Sequence, residues 1–151
     1  MDLFEVVLNL LMTILSVFDM KMRKIPVCLI IFGMGIALLR LALIFPWNGP
    51  PSEQQRIFTV ALLGALPGLA VTALSFITDK IGRGDGAVMI MIGLFEDCTF
   101  VTLASCIGCI FLAVCSGILL AFHRVGKNTP MPFVPFLTGS ILILMISQRG
   151  F

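Results

Sequence analysis

The chain has 151 residues, 59% of them hydrophobic and only 12% charged, with a mean hydropathy of +1.12. A soluble domain carries about 25% charged residues, and a chain of this length has no aqueous core large enough to absorb the apolar excess. It reads as a membrane protein. The short loops leave no room for a soluble catalytic or nucleic-acid-binding module, and a formal net charge of +2 gives no ground for a polyanionic partner.

In chain order the apolar runs are Leu3–Phe18, Ile25–Phe45, Ile57–Thr78, Gly86–Phe95, Thr99–Phe122 and Pro132–Ile146. Backbone in lipid must satisfy its own hydrogen bonds, so each run is expected to be a helix. The fold class is all-α: a single polytopic membrane domain over residues 1–151 with about six transmembrane helices. The first run is not expected to be a secretory signal, because the first charges are Asp2 and Glu5 and the basic cluster follows the run. Arg40, in the second run, is expected to snorkel outward, with Glu5 or the Glu96–Asp97 pair as partners. Gly64 and Gly68 form a GxxxG in the third run, which favours close helix approach, and Pro67 predicts a kink. The fourth run is short: ten residues reach about 15 Å against a hydrocarbon core of about 30 Å. Cys106 and Cys109 form a CxxC in the fifth. Zinc would need two further ligands of suitable type, so helix packing is the expected role of these cysteines. Neither a metal nor a cofactor is called for. His123, the only histidine, reads as interfacial.

Orientation follows from Lys and Arg, which concentrate in cytoplasmic loops. Lys21, Arg23, Lys24, Lys80, Arg83, Arg124 and Lys127 fall in the first, third and fifth connections, seven of the ten basic residues. Those connections are expected inside, with both termini outside. Asp2, Glu5, Glu53, Glu96 and Asp97 fall on the outer side, whereas Asp19, Asp79 and Asp85 share the basic one.

Asp19 closes the first run and Asp85 opens the fourth, within Gly82-Arg83-Gly84-Asp85. Carboxylates at the edge of hydrocarbon are costly, which makes both candidate site residues. Two close carboxyls share a proton, so one can activate water while the other polarises a carbonyl. That is the equipment of peptide hydrolysis. Gly82, Gly84 and Gly86 are expected to permit unusual backbone angles and to clear room for a substrate backbone, unless Gly82–Gly86 is only a flexible turn between helices. The competing reading is a channel or transporter component with the same acids as ion or proton sites. The acids cluster at one face, however, and inverted repeats are absent.

The run from Asp19 to Pro26, Asp-Met-Lys-Met-Arg-Lys-Ile-Pro, resembles the first aspartate motif of type IV prepilin peptidases. Gly82-Arg83-Gly84-Asp85 resembles their GxGD motif. Pro132-Phe133-Val134-Pro135 is similar to their Pro-Phe-x-Pro segment. The three matches occur in family order over essentially the whole chain. The resemblance implies an intramembrane aspartyl endopeptidase of the cell membrane with Asp19 and Asp85 as its catalytic pair. Its substrates would be prepilins or pseudopilins, cut after a short basic leader at the cytoplasmic face. Gly82, Gly84, Gly86, Pro26, Pro132 and Pro135 would shape the loops or the substrate site. Val27 stands where the family often has Asn, and Gly86-Ala87-Val88 follow Asp85 where a lysine is common. The cysteine-bearing insertion of larger relatives is missing, so methyl transfer is not expected, and the size resembles the short peptidases of tight-adherence (Flp-type) pili.

Helix dipoles add one expectation. Asp19 at a helix C-terminus should be the more readily protonated partner, and Asp85 at an N-terminus the ionised one.

Overall fold

Every apolar run folds as a helix. In the computed structural model these are α1 (Leu3–Met22), α2 (Val27–Ile44), α3 (Pro51–Thr78), α4 (Arg83–Phe95), α5 (Cys98–Ala121) and α6 (Val134–Arg149). The structure describes residues 3–22, 25–78, 82–122 and 131–149, without the side chains of Arg83 and Arg149. Among the described residues there is no strand. The expected roles of Asp2, Arg23, Lys24, Asp79, Lys80, His123, Arg124 and Lys127 lie outside the described residues. α1, α2, α3 and α5 are long and apolar enough to cross a membrane, whereas Gly84–Phe95 and Val134–Gln148 are shorter apolar helices.

The boundaries differ from the apolar runs for physical reasons. α3 starts six residues before Ile57, at Pro51, because proline needs no donor at a first helical position and Ser52-Glu53-Gln54-Gln55 continue the helix beyond the apolar stretch. Gln54 donates to the carbonyl of Pro46 at 3.0 Å, pinning the preceding loop. α1 runs past Asp19 to Met22, and α4 begins at Arg83, so GxGD is a helix start rather than a free turn.

α4 is the axis of the bundle. It packs against α1, α2, α3 and α5, and it alone contributes no exposed large hydrophobic side chain among the described residues, while every other helix turns several outward. Its Val88, Met91 and Ile92 are fully buried with Leu8, Met12 and Leu15 of α1 and with Leu137 and Ile141 of α6. At thirteen residues α4 extends only about 20 Å, and protein covers it where a lone short helix would meet lipid.

The closest packing is between α3 and α4. A Cβ on Gly64 would strike the carbonyl of Gly93, one on Gly68 would strike the backbone of Ile90, and one on Gly86 would strike Thr72. Gly64, Gly68 and Thr72 recur every four residues on α3, while Gly93, Ile90 and Gly86 run backward along α4. The two helices are therefore antiparallel, with backbones in near contact, as the GxxxG spacing leads one to expect. α3 is helical through Pro67.

One expectation about side chains changes. Cys106 and Cys109 are exposed, on the outward face of α5 rather than packed against another helix. Asp97 caps α5, its Oδ1 accepting the Phe100 N–H at 2.8 Å, which is the ordinary work of an aspartate at that position.

Backbone contact cannot yield to an added methyl group. Gly93→Ala should lower stability by about 1–3 kcal/mol, read from thermal unfolding in detergent. Gly117→Ala, where nothing lies within 4 Å, should leave it equal or slightly higher. Equal effects from both would contradict the close approach.

Candidate active site

Asp19 stands on the buried stripe of α1. Leu8, Leu11, Met12 and Leu15 face the core, and one turn further the same stripe presents Asp19, 6% exposed. A carboxyl so buried requires donors. Its Oδ2 accepts the backbone N–H of Val134 at 3.1 Å, across 115 positions of sequence, and the N–H of Phe133 also acts on the group.

The first turn of α6 explains why a donor is free there. The leading N–H groups of a helix have no intrahelical acceptor. Phe136 and Leu137 donate to the carbonyl of Phe133 at 3.1 Å each, and Pro135 has no N–H to place. Within the helix Val134 is left with the unused donor, and it meets Asp19 next to the Phe133 N–H. Below this point the Thr138 hydroxyl lies 3.2 Å from the Met12 carbonyl and 2.8 Å from that of Val134, tying α6 to α1. Pro132, partly buried, stands two residues before α6, where its fixed φ narrows the path of the incoming chain.

Asp85 lies in the first turn of α4 and is partly buried. Its N–H donates to the Gly82 carbonyl at 3.0 Å, and its carboxyl lies over Gly82, where an added Cβ would sit 2.9 Å from Oδ2. The three glycines therefore act by clearance, not by unusual angles. Gly82 has φ of −62°, Gly84 and Gly86 are helical, and none has a positive φ. A Cβ on Gly84 would meet the side chain of Ile25, with Cδ1 at 2.8 Å; one on Gly86 would meet the backbone N of Thr72 at 2.8 Å. Pro26, φ −67°, sets the start of α2 with its carbonyl accepting the Leu29 N–H at 3.0 Å, and so delivers Ile25 onto Gly84.

These contacts bring the three motifs to one end of the bundle: Asp19 to Val134, Ile25 to Gly84, Thr72 to Gly86. Asp19 and Asp85 thereby stand at the same end of the bundle. Two carboxyls that approach closely can share a proton. Among the described residues no group of three or more His, Cys, Asp or Glu could hold a metal ion.

Sequence reasoning missed Thr72, Ile25 and Val134. Thr72 was within reach, since it extends the Gly64–Gly68 spacing by four; Val134 acts through its main chain and leaves no mark in composition. The dipole argument also changes. Asp19 lies at the C-terminus of α1 and at the N-terminus of α6, two helix ends of opposite sign, of which only the first was visible in the local sequence.

The family model of the type IV leader peptidase family matches residues 6–146. No curated protein and no solved structure gives a significant match.

The two inner glycines should differ in sensitivity. Gly86→Ala must displace Thr72 backbone, whereas Gly84→Ala need only turn the Ile25 side chain. The midpoint of thermal unfolding should fall clearly further for Gly86→Ala; the reverse order would mean that Ile25, not α3, fixes the start of α4.

Proposed function

The chain belongs to the type IV leader peptidase family, and on that ground we propose that it is an intramembrane aspartyl endopeptidase with Asp19 and Asp85 as its catalytic pair. The observation that supports the residue assignment is that contacts between separate motifs, Asp19 with Val134 and Ile25 with Gly84, bring both acids to the end of the bundle where the glycines of α4 and the prolines before α2 and in α6 also gather. The ionised member takes a proton from water, and the hydroxide attacks the scissile carbonyl. The protonated member donates a hydrogen bond to that oxygen as it becomes negative, then the dyad passes a proton to the departing amine.

The substrate is a prepilin or prepilin-like protein with a basic leader and an apolar helix behind it. The excess of Lys and Arg in the first, third and fifth connections favours a cytoplasmic site in the cell membrane, with both termini outside. The chain trims its substrate without methylating it.

A short α4 suits this chemistry. A helix of about 20 Å that reaches the outer surface ends below the inner one, leaving Asp85 at the floor of a water-filled notch. Cleavage needs locally unwound substrate backbone and water beside it, and both are tolerated at that depth only within such a cavity.

Co-expression with a prepilin-like substrate, followed by gel shift and mass spectrometry, tests the pair. Asp19→Asn and Asp85→Asn should each reduce cleavage at least about 100-fold, and Asp79→Asn should retain it. Processing that survives in a well-inserted Asp19→Asn or Asp85→Asn protein would sink the assignment.

The notch has its own test. In a background lacking Cys28, Cys98, Cys106, Cys109 and Cys115, Arg83→Cys should react with a membrane-impermeant thiol reagent applied from the cytoplasmic side. Complete protection would argue against water at this depth.

A further inference from the structure

We propose that the backbone N–H of Val134 is a positioning group for Asp19, and that the first turn of α6 is built to supply it. The inference rests on the peptidase reading and adds a residue to it. An aspartate in the last turn of a helix has several rotamers, and burial alone does not choose among them. Here Oδ2 accepts the Val134 N–H at 3.1 Å, beside the Phe133 N–H that also acts on the group, which turns that oxygen toward the start of α6.

Three features keep that donor available. Leu137 and Phe136 are both satisfied by the Phe133 carbonyl, so they do not compete for Asp19. Pro135, immediately after the donor, contributes no N–H of its own. The Thr138 hydroxyl, between the Met12 and Val134 carbonyls, fixes the rotation of α6 against α1 one turn below. Further along, the Asn9 amide lies 3.0 Å from the Met145 sulfur. The pairs 19–134, 12–138 and 9–145 run in antiparallel order, so a slip of α6 would break all of them. Val134 is itself fully buried; its side chain packs while its main chain holds the acid. Asp19 is thus oriented by a group that no side-chain substitution removes, with proline as the exception.

Proline supplies the test. Val134 is the first residue of α6, where proline is tolerated, and the residue before it is the helix-flanking Phe133, a position that favours the extended backbone proline demands of its predecessor. Val134→Pro therefore deletes the N–H without breaking an intrahelical hydrogen bond, and the change it makes to a buried side chain is controlled by Val134→Ala. With purified parent and variants in liposomes and a prepilin-like substrate, Val134→Pro should lower kcat about 10- to 100-fold, with KM within about threefold. Val134→Ala, which keeps the N–H, should stay within about threefold of the parent in kcat. Should Val134→Pro fail to insert, an ester in place of the 133–134 amide, introduced by cell-free suppression, removes the same hydrogen without proline, and the same loss in kcat is expected. Full kcat in a folded Val134→Pro or ester variant overturns the positioning role alone. An equal loss in Val134→Ala also overturns it, because packing would then be the cause. A parent chain that cleaves none of the prepilin-like substrates overturns the peptidase reading itself.

Discussion

The near contact of α3 and α4 is the constraint from which the rest of the arrangement follows. A membrane interior offers no hydrophobic gain for bringing two apolar helices together, so association depends on how closely backbones approach. Gly64, Gly68 and Thr72 against Gly93, Ile90 and Gly86 make that approach along the whole of α4. The seam fixes the depth and rotation of a helix too short to anchor itself at both membrane surfaces. Asp85 is the residue next to the last rung, so its place is set by packing that extends to Gly64 at the opposite end.

Asp19 is held by different means. Its helix is long and apolar, and its position on the leucine stripe of α1 follows from helical periodicity alone. What secures the carboxyl is polar: the main chain of α6, reinforced by Thr138 and, toward the other end, by the Asn9 side chain. Hydrogen bonds between helices in membranes contribute modestly one by one. A buried carboxyl without its donors would be expensive, however, which makes the Val134 contact matter more than its distance suggests. One acid is thus located by steric contact and the other by hydrogen bonding.

Much of this was legible in the sequence because it is local. Apolar runs gave all six helices, the GxxxG spacing gave the close seam, and the three motifs matched the family that the chain belongs to. The errors came from reading local chemistry as complete. Three glycines in five residues suggest unusual backbone angles, yet Gly84 and Gly86 are helical and make room for Ile25 and Thr72, partners about 60 and 14 positions away in the chain. The dipole at Asp19 was judged from α1, whereas the helix end that touches it belongs to a segment 115 positions on. Cys106 and Cys109 are three apart on an apolar helix, a pattern that does not say which face looks toward protein and which toward lipid. Contacts of this kind depend on the pairing of helices, and no periodicity within one helix encodes its neighbour.

The pairing also bears on the proposal that the same acids serve hydrolysis and not ion passage. A transported ion needs ligands near the middle of the bilayer that release it to either side. Asp19 and Asp85 instead lie together at one end of the bundle, each fixed by a separate part of the fold: α3 and the Ile25 side chain around α4, and the start of α6 at α1. A site with that much support resists the opening and closing that alternating access requires, while it favours a reaction in which two carboxyls must keep one geometry through successive proton transfers. Under the proposed mechanism, rigidity at the acids would leave the substrate as the partner that must deform, and a helix unwinding beside the short end of α4 would do so where water and protein, not lipid, meet its freed backbone groups.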